Sequence, residues 1–232
     1  MIKKNRSLLS RLFMILKIGA VFFFISTVIT TLIFRFIPPP VTPLMIMRVI
    51  GQLADGKELK MSKSWVSYSE ISPNLVKAVI TSEDNNFMEH NGVDFAAIEK
   101  ARKLNERGNK LRGASTISQQ TAKNVYLWLG RNYLRKGLEL YFTGLIELTW
   151  SKERIMEVYL NVIEMGDGIY GAEMASQTYF HKPAKYLTRG EAALIAAVLP
   201  NPRKWSPVHP TPYIIHKKNW IVSRMNKFDK PD

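Results

Sequence analysis

Ser72-Pro73-Asn74-Leu75-Val76-Lys77-Ala78-Val79-Ile80-Thr81-Ser82-Glu83-Asp84 reads as a helix with a marked start and an anomalous end. A serine ahead of a proline can cap free backbone N–H groups, and proline suits the first helical position because it has no N–H to lose. Leu75, Val76, Val79 and Ile80 then form one apolar stripe at helical spacing. The segment closes on two carboxylates, where the negative end of the helix dipole disfavours them. A local stability rule broken beside an apolar stripe makes Glu83 and Asp84 candidate functional residues. The plainer alternative is a solvated acidic helix end.

Downstream, Phe87 reads as core. His90 has no second histidine at ligand spacing and reads as a packed, hydrogen-bonded residue. Residues 99–113 are basic and punctuated by glycine, with few apolar anchors, and predict a mobile loop. Helical signals resume at Ser115 and run to about residue 163. Thr116-x-x-Gln119 is a capping box, a sufficient structural account of that pair. Thr116, Gln120 and Lys123 recur at helical spacing beside Ser115, Gln119 and Asn124, making a polar face. Amides and hydroxyls suit sugars, and an ammonium suits phosphate. Arg131, Arg135 and Glu139 share one helix face, with Lys136 adjoining. They fit either an ordinary helix ion pair or a diphosphate cradle beside a carboxylate. Thr188-x-x-Glu191 opens another helix, stopped by Pro200 and Pro202. Gly166-x-Gly168-x-x-Gly171 follows a helical segment and lies in no strand–helix–strand unit, so it predicts a turn and no dinucleotide site. The chain is mainly α.

Upstream, Met47-Arg48-Val49-Ile50 predicts a short strand or an extended entry segment. Pro38-Pro39-Pro40 predicts a stiff spacer. Residues 12–35 make an apolar run long enough to span a bilayer. Residues 1–35 hold six basic residues and no acid, which predicts a cytoplasmic N-terminus and an extracytoplasmic domain. A cleaved signal peptide is the alternative, but the run is long and no small-x-small site follows. The expected organisation is a tail over 1–11, a transmembrane helix over 12–35, a spacer and entry segment over 36–70, and a domain over 71–232.

The chain has 232 residues, no cysteine and a net charge of +14. The absent cysteine excludes disulfide frameworks, thiolate metal sites and cysteine nucleophiles. Beyond residue 35 there remain 27 basic and 19 acidic residues, a surface that expects anionic partners.

Five ordered motifs resemble one family, the peptidoglycan glycosyltransferases of glycosyltransferase family 51. They are Glu83-Asp84-x-x-Phe87-x-x-His90-x-Gly92; Gly113-x-Ser115-Thr116-Ile117-x-Gln119-Gln120-x-x-Lys123-Asn124; Arg135-Lys136-x-x-Glu139; Lys152-x-x-Ile155-x-Glu157-x-Tyr159-Leu160-Asn161; and Leu187-x-x-x-Glu191-x-Ala193-x-Ile195-Ala196. Met156 stands where the family usually has leucine. The resemblance implies a lysozyme-like domain of two lobes in the bacterial inner membrane. It implies polymerisation of lipid II, with inversion at the anomeric carbon, a β-1,4 link and release of undecaprenyl diphosphate. Glu83 would be the general base, and Glu139 the second essential carboxylate. Lys123, Arg131, Arg135 and Lys136 would hold the diphosphate. The resemblance implies no tightly bound cofactor, though Mg²⁺ or Mn²⁺ as a diphosphate counterion fits it, with no metal ligand assigned. Expected partners are lipid II, the growing lipid-linked glycan, the membrane and cell-wall synthesis proteins, with no nucleic acid. With no Lys-Thr-Gly and little room for a second domain, no transpeptidase is expected.

Two rival classes explain less. A muramidase or lytic transglycosylase needs two carboxylates but no cluster of cations. A membrane-tethered binder of anionic polymers or nucleic acid accounts for the charge but not for the ordered acidic motifs.

Overall fold

A computed structural model describes residues 2–108, 113–130 and 132–228. The chain divides into two compact units, Met1–Pro38 and Pro39–Asp232. The first is a single helix, α1 (Ile2–Phe36), whose stretch Leu8–Phe36 is long and apolar enough to cross a membrane. Its 29 residues rise about 43 Å, more than the roughly 30 Å hydrocarbon core. The hydroxyls of Thr27, Thr30 and Thr31 donate to the carbonyls of Phe23, Ser26 and Thr27, four residues back. These three hydroxyls are thereby satisfied within the helix, as an apolar surrounding would require.

The second unit is mainly helical, as expected. It contains α2 (Pro43–Ala54), α3 (Pro73–Glu83), α4 (Phe95–Arg107), α5 (Ile117–Tyr126), α6 (Tyr133–Thr149), α7 (Lys152–Val162), α8 (Ala172–Phe180), α9 (Arg189–Val198) and α10 (Pro212–Met225). Side-chain caps start most of them. Ser72, Asp94, Thr116, Asn132, Ser151, Thr188 and Thr211 each accept a backbone N–H of the first turn. Capping boxes form at Thr116–Gln119 and Thr188–Glu191.

Two expectations fail here. Met47–Ile50 lies inside α2, not in a strand. Thr42 caps that helix, accepting from the Met45 N–H at 3.3 Å, and Pro43 sits in its first turn. This is the start signal read at Ser72-Pro73, and it outweighs the β-branched Val49 and Ile50. Residues 99–107 of the expected loop belong to α4. Asp94 caps α4 through the Ala97 N–H at 2.7 Å. Arg102 bridges Glu99 at 2.9 Å and Glu106 at 2.7 Å, one turn away on either side. Surface ion pairs of this kind support a helix with few apolar anchors. Residues 109–112 lie outside the described residues.

A small sheet completes the unit. Its order is β1 (Ser62–Lys63), β3 (Ile169–Tyr170), β2 (Glu164–Gly166). β1 runs parallel to β3, and β2 runs antiparallel to it across the glycine-rich turn. Residues 43–63, expected as spacer and entry, thus supply a helix and a strand to the second unit.

The helices gather in two groups. α3 packs on α9 and α10, burying Leu75, Val79, Ile195, Ile214 and Ile221. α5 packs on α6 and α7, burying Ile117, Val125, Ile146, Ile155 and Tyr159. The carboxylates that close α3 and the start of α5 meet at the seam between the groups.

Candidate active site

Glu83 ends α3 at this seam and is half-buried. Its Oε1 accepts the Ser82 hydroxyl at 3.2 Å, and its Oε2 accepts the Gln120 side-chain amide at 3.2 Å. Gln120 Oε1 in turn accepts the Tyr159 hydroxyl at 3.3 Å. Tyr159 is fully buried, and that burial pushes its phenol well above the usual range, so it remains a donor. Lys217 of α10 donates to the Ala197 carbonyl at 3.3 Å. Burial pushes its ammonium down, and the negative charge of Glu83 draws it back up.

Asp84, the next residue, does different work. It is buried, and its Oδ2 accepts the Ile117 backbone N–H at 2.9 Å in the first turn of α5. His90 Nδ1 accepts the Gly92 N–H at 3.1 Å, which leaves the proton on Nε2 to be donated to Asp84 at 3.0 Å. Burial raises the Asp84 pKa, against the lowering effects of Ile117 and His90. The Thr116 hydroxyl donates to the Gly92 carbonyl at 2.7 Å, and Lys152 donates to the His90 carbonyl at 2.5 Å. The packed, hydrogen-bonded state expected of His90 is the one found. Most of the first motif is a buckle that registers α3 against α5, and Glu83 is the part of it that faces outward.

Glu139 lies buried on α6. Arg135 donates to its Oε2 at 2.9 Å, and Lys136 donates to its Oε1 at 2.5 Å. Arg135 Nε is buried with no hydrogen-bond partner among the described residues. Lys123 joins this cluster to Glu83. Its ammonium is pushed down chiefly by burial, is drawn up by the charges of Glu139 and Glu83, and is pushed down again by Arg135 and Lys136. The two carboxylates and three of the expected cations therefore share one electrostatic field. Arg131 lies outside the described residues.

The remaining expected residues divide by exposure. Ser115 is exposed at the wall of a cavity of about 420 Å³ that also touches Glu83, Lys100, Thr116 and Trp220. Ser115 is shared with a second, more apolar groove of about 820 Å³, lined by Val93, Phe95, Ile98 and Leu140 with Gln119 and Lys136. Thr116 and Gln119 are mostly spent on their capping box. Asn124 is buried and donates back to the Gln120 carbonyl at 2.7 Å, so its amide holds its own helix. Ser82, Tyr159 and Lys217 escaped the site prediction. Tyr159 sits in a motif, but its reach to Gln120 depends on tertiary packing, as does the approach of Lys217 from α10.

The carboxylate oxygens of the site already have partners. Both Glu139 oxygens are engaged by cations, and both Glu83 oxygens accept side-chain donors. Among the described residues no three His, Asp or Glu side chains converge.

A family model described as Transglycosylase matches residues 48–226. The chain is 54% identical over 210 residues to a biosynthetic peptidoglycan transglycosylase of Bacteroides thetaiotaomicron, covering 90% of this chain and 85% of the relative. A protein of the same name from Bdellovibrio bacteriovorus is 53% identical over 203 residues, covering 88% and 81%. Another from Rhodospirillum centenum is 55% identical over 192 residues, covering 83% and 81%.

Proposed function

This chain belongs to the transglycosylase family, and from that premise we propose that it is a peptidoglycan glycosyltransferase with a lysozyme-like domain. Its reaction extends a lipid-linked glycan by one disaccharide unit at a time. The donor is the growing chain on undecaprenyl diphosphate, and the acceptor is the GlcNAc 4-hydroxyl of lipid II.

Glu83 takes the proton of the acceptor hydroxyl. The hydroxyl oxygen then bonds to the anomeric carbon of the donor from the face opposite the diphosphate, so the configuration inverts. The bond from that carbon to the diphosphate oxygen breaks, and the electron pair leaves with undecaprenyl diphosphate. A diphosphate needs charge stabilisation more than protonation. Lys123, Arg135 and Lys136 provide it, and Arg135 Nε is a donor still without a protein partner among the described residues. Glu139 orients Arg135 and Lys136 by ion pairs and does not transfer a proton. The apolar groove beside Lys136 suits the lipid that carries the diphosphate.

The single observation that carries this mechanism is the buried Glu139 clasped by Arg135 at 2.9 Å and Lys136 at 2.5 Å on α6, the helix packed against α5, which reaches Glu83 through Gln120. A muramidase would have no use for cations gathered around its second carboxylate. The α1 helix and its basic, acid-free flank support a single-pass anchor with the N-terminus in the cytoplasm and the domain outside. Incubating the purified chain with labelled lipid II tests the activity. Long glycan strands without peptide cross-links are expected, and hydrolysis of polymeric peptidoglycan without strand growth would overturn the assignment.

A further inference from the structure

Arg135 and Lys136, which clasp Glu139, sit with it on α6. Those bonds shape the cluster, but they do not place it against α5, where Lys123 stands. The core between the two helices, with the rings of Tyr126 and Phe142 stacked at 4.3 Å, holds them together. Apolar burial is non-directional, so it sets the register of one helix on another less sharply than a hydrogen bond does.

A bond of the directional kind lies two turns further along α6. Glu139, Thr143 and Glu147 recur at i, i+4 and i+8 and turn inward together. Glu147 Oε1 accepts the Ser118 hydroxyl of α5 at 2.5 Å and the Lys152 ammonium of α7 at 2.8 Å. Lys152 also donates to the His90 carbonyl, and its ammonium lies 4.8 Å from the centroid of the Phe87 ring. Gly92 packs on the same side chain, since a Cβ there would lie 3.0 Å from Glu147 Cγ. One carboxylate thus joins α5, α7 and the segment that follows Glu83.

The side chains of this ion pair are only 8% and 19% exposed. A buried ion pair is a poor source of net stability, because desolvation offsets the attraction. What this one supplies is a single geometry, with two donors aimed at one oxygen. The geometry matters two turns away. Ser118 is five residues before Lys123, about 7.5 Å along α5, and Glu147 is eight residues after Glu139, about 12 Å along α6. α6 is one continuous helix, so any slide or roll at Ser118 carries the Glu139 cluster with it.

We infer that Glu147 is a positioning residue for the leaving diphosphate: through Ser118 it fixes α6 on α5, so that Arg135 and Lys136 stand beside Lys123. The inference rests on the role proposed above for these cations. Glu147 acts through them, not on the reacting atoms.

Ser118→Ala tests it, because this change removes the tie to α5 and leaves Glu147 paired with Lys152. Initial rates of the full chain are measured in detergent micelles, varying a lipid-linked tetrasaccharide as donor and lipid II as acceptor in turn, beside denaturant midpoints. Donor kcat/KM should fall, by up to the roughly 10²-fold that a 1 Å misplacement can cost, with the acceptor KM unchanged. Glu147→Gln should show the same split. The double variant should be no worse than Glu147→Gln alone, because both changes break one link. Thr149→Ala is the control, since it removes a bond of 2.7 Å to the Leu145 carbonyl within the same end of α6. Its midpoint should fall with no donor-specific loss.

Equal losses for donor and acceptor in Ser118→Ala, or a donor-specific loss in Thr149→Ala, would reduce Glu147 to general support of the helix and overturn the inference. Additive losses in the double variant would do the same. If Lys123→Ala and Arg135→Ala leave donor use intact, the diphosphate role of the cations fails and this inference falls with it. If they impair donor use while Ser118→Ala does not, that role stands and this inference alone is overturned.

Discussion

Asp84 and Ile117 are joined by a carboxylate-to-backbone hydrogen bond of 2.9 Å that fixes the end of α3 to the first turn of α5. Glu83 and Gln120 meet because of this bond, each being a few residues from one end of it.

Asp84→Asn therefore tests the buckle. Its oxygen can still accept from Ile117 and His90, but its NH₂ replaces the second oxygen that stands 3.0 Å from the same Nε2–H, which brings two donors together and gives the new one no partner there. Leaving such a buried donor unpaired costs about 1–3 kcal/mol. A fall of that size in denaturant stability is expected, with a loss of polymerisation rate as the seam loosens. The sign of the pH effect is also set. Burial holds the folded Asp84 pKa above 3.8, so the folded chain binds this proton more tightly than the unfolded chain. Its contribution to stability is present below 3.8 and falls as pH rises through the raised value. Denaturation midpoints against pH should lose that component in Asp84→Asn.

Glu83→Gln should leave the fold intact and lower the rate on lipid II by about 10²–10⁴-fold, the usual loss for a general base. Retention of more than about a tenth of the wild-type initial rate would remove Glu83 from that role.

Lys123 should set an alkaline limit. Burial pushes its pKa below 10.5. The charged form is needed at the diphosphate, so the rate should fall as pH rises through the lowered value. The depressed folded pKa also means that the charged lysine costs stability at neutral pH, a cost relieved as it deprotonates. Lys123→Arg should shift the fall in rate to higher pH, because a guanidinium stays protonated. Lys123→Ala and Arg135→Ala should weaken donor use more than acceptor use, read from initial rates with each substrate varied.

Gly92→Ala addresses the turn behind the site. Gly92 has φ +91°, and a Cβ there would lie 2.6 Å from Thr143 Cγ2 and 3.0 Å from Glu147 Cγ. Backbone strain of about 1–3 kcal/mol adds to the clash. A marked drop in thermal midpoint is expected, and an unchanged midpoint would show that α6 can move aside.

The helices that the sequence announces are those with both a start signal and an apolar stripe. Ser72-Pro73 with Leu75, Val76, Val79 and Ile80 is the clearest. α2 has the same kind of start at Thr42-Pro43, but its two apolar sides blur the stripe, and Val49 and Ile50 favour a strand when read alone. α4 escapes for the opposite reason, since its support comes from Glu99, Arg102 and Glu106 more than from apolar residues. In the site, Glu83 is legible as a carboxylate at the wrong end of a helix dipole, and Gln120 and Lys123 as polar groups recurring at helical spacing. Asn124 obeys the same spacing yet turns to its own backbone, which only the rotamer decides. Ser82, Lys217 and the bond from Asp84 to Ile117 join residues far apart in sequence or reach them through tertiary packing, so no local window contains them.

Glu83 and Tyr159 together give the Gln120 amide a direction. The carboxylate can only accept, so it takes Nε2, and Oε1 is left to accept the Tyr159 hydrogen. The three groups form a one-way relay of donors ending on the carboxylate. Glu83 is thus surrounded by hydrogens that stay on their own atoms, and the proton free to cross to it is the one brought by the incoming sugar. A buried phenol on α7 in this way backs the amide that holds the carboxylate on α3 ready for that proton.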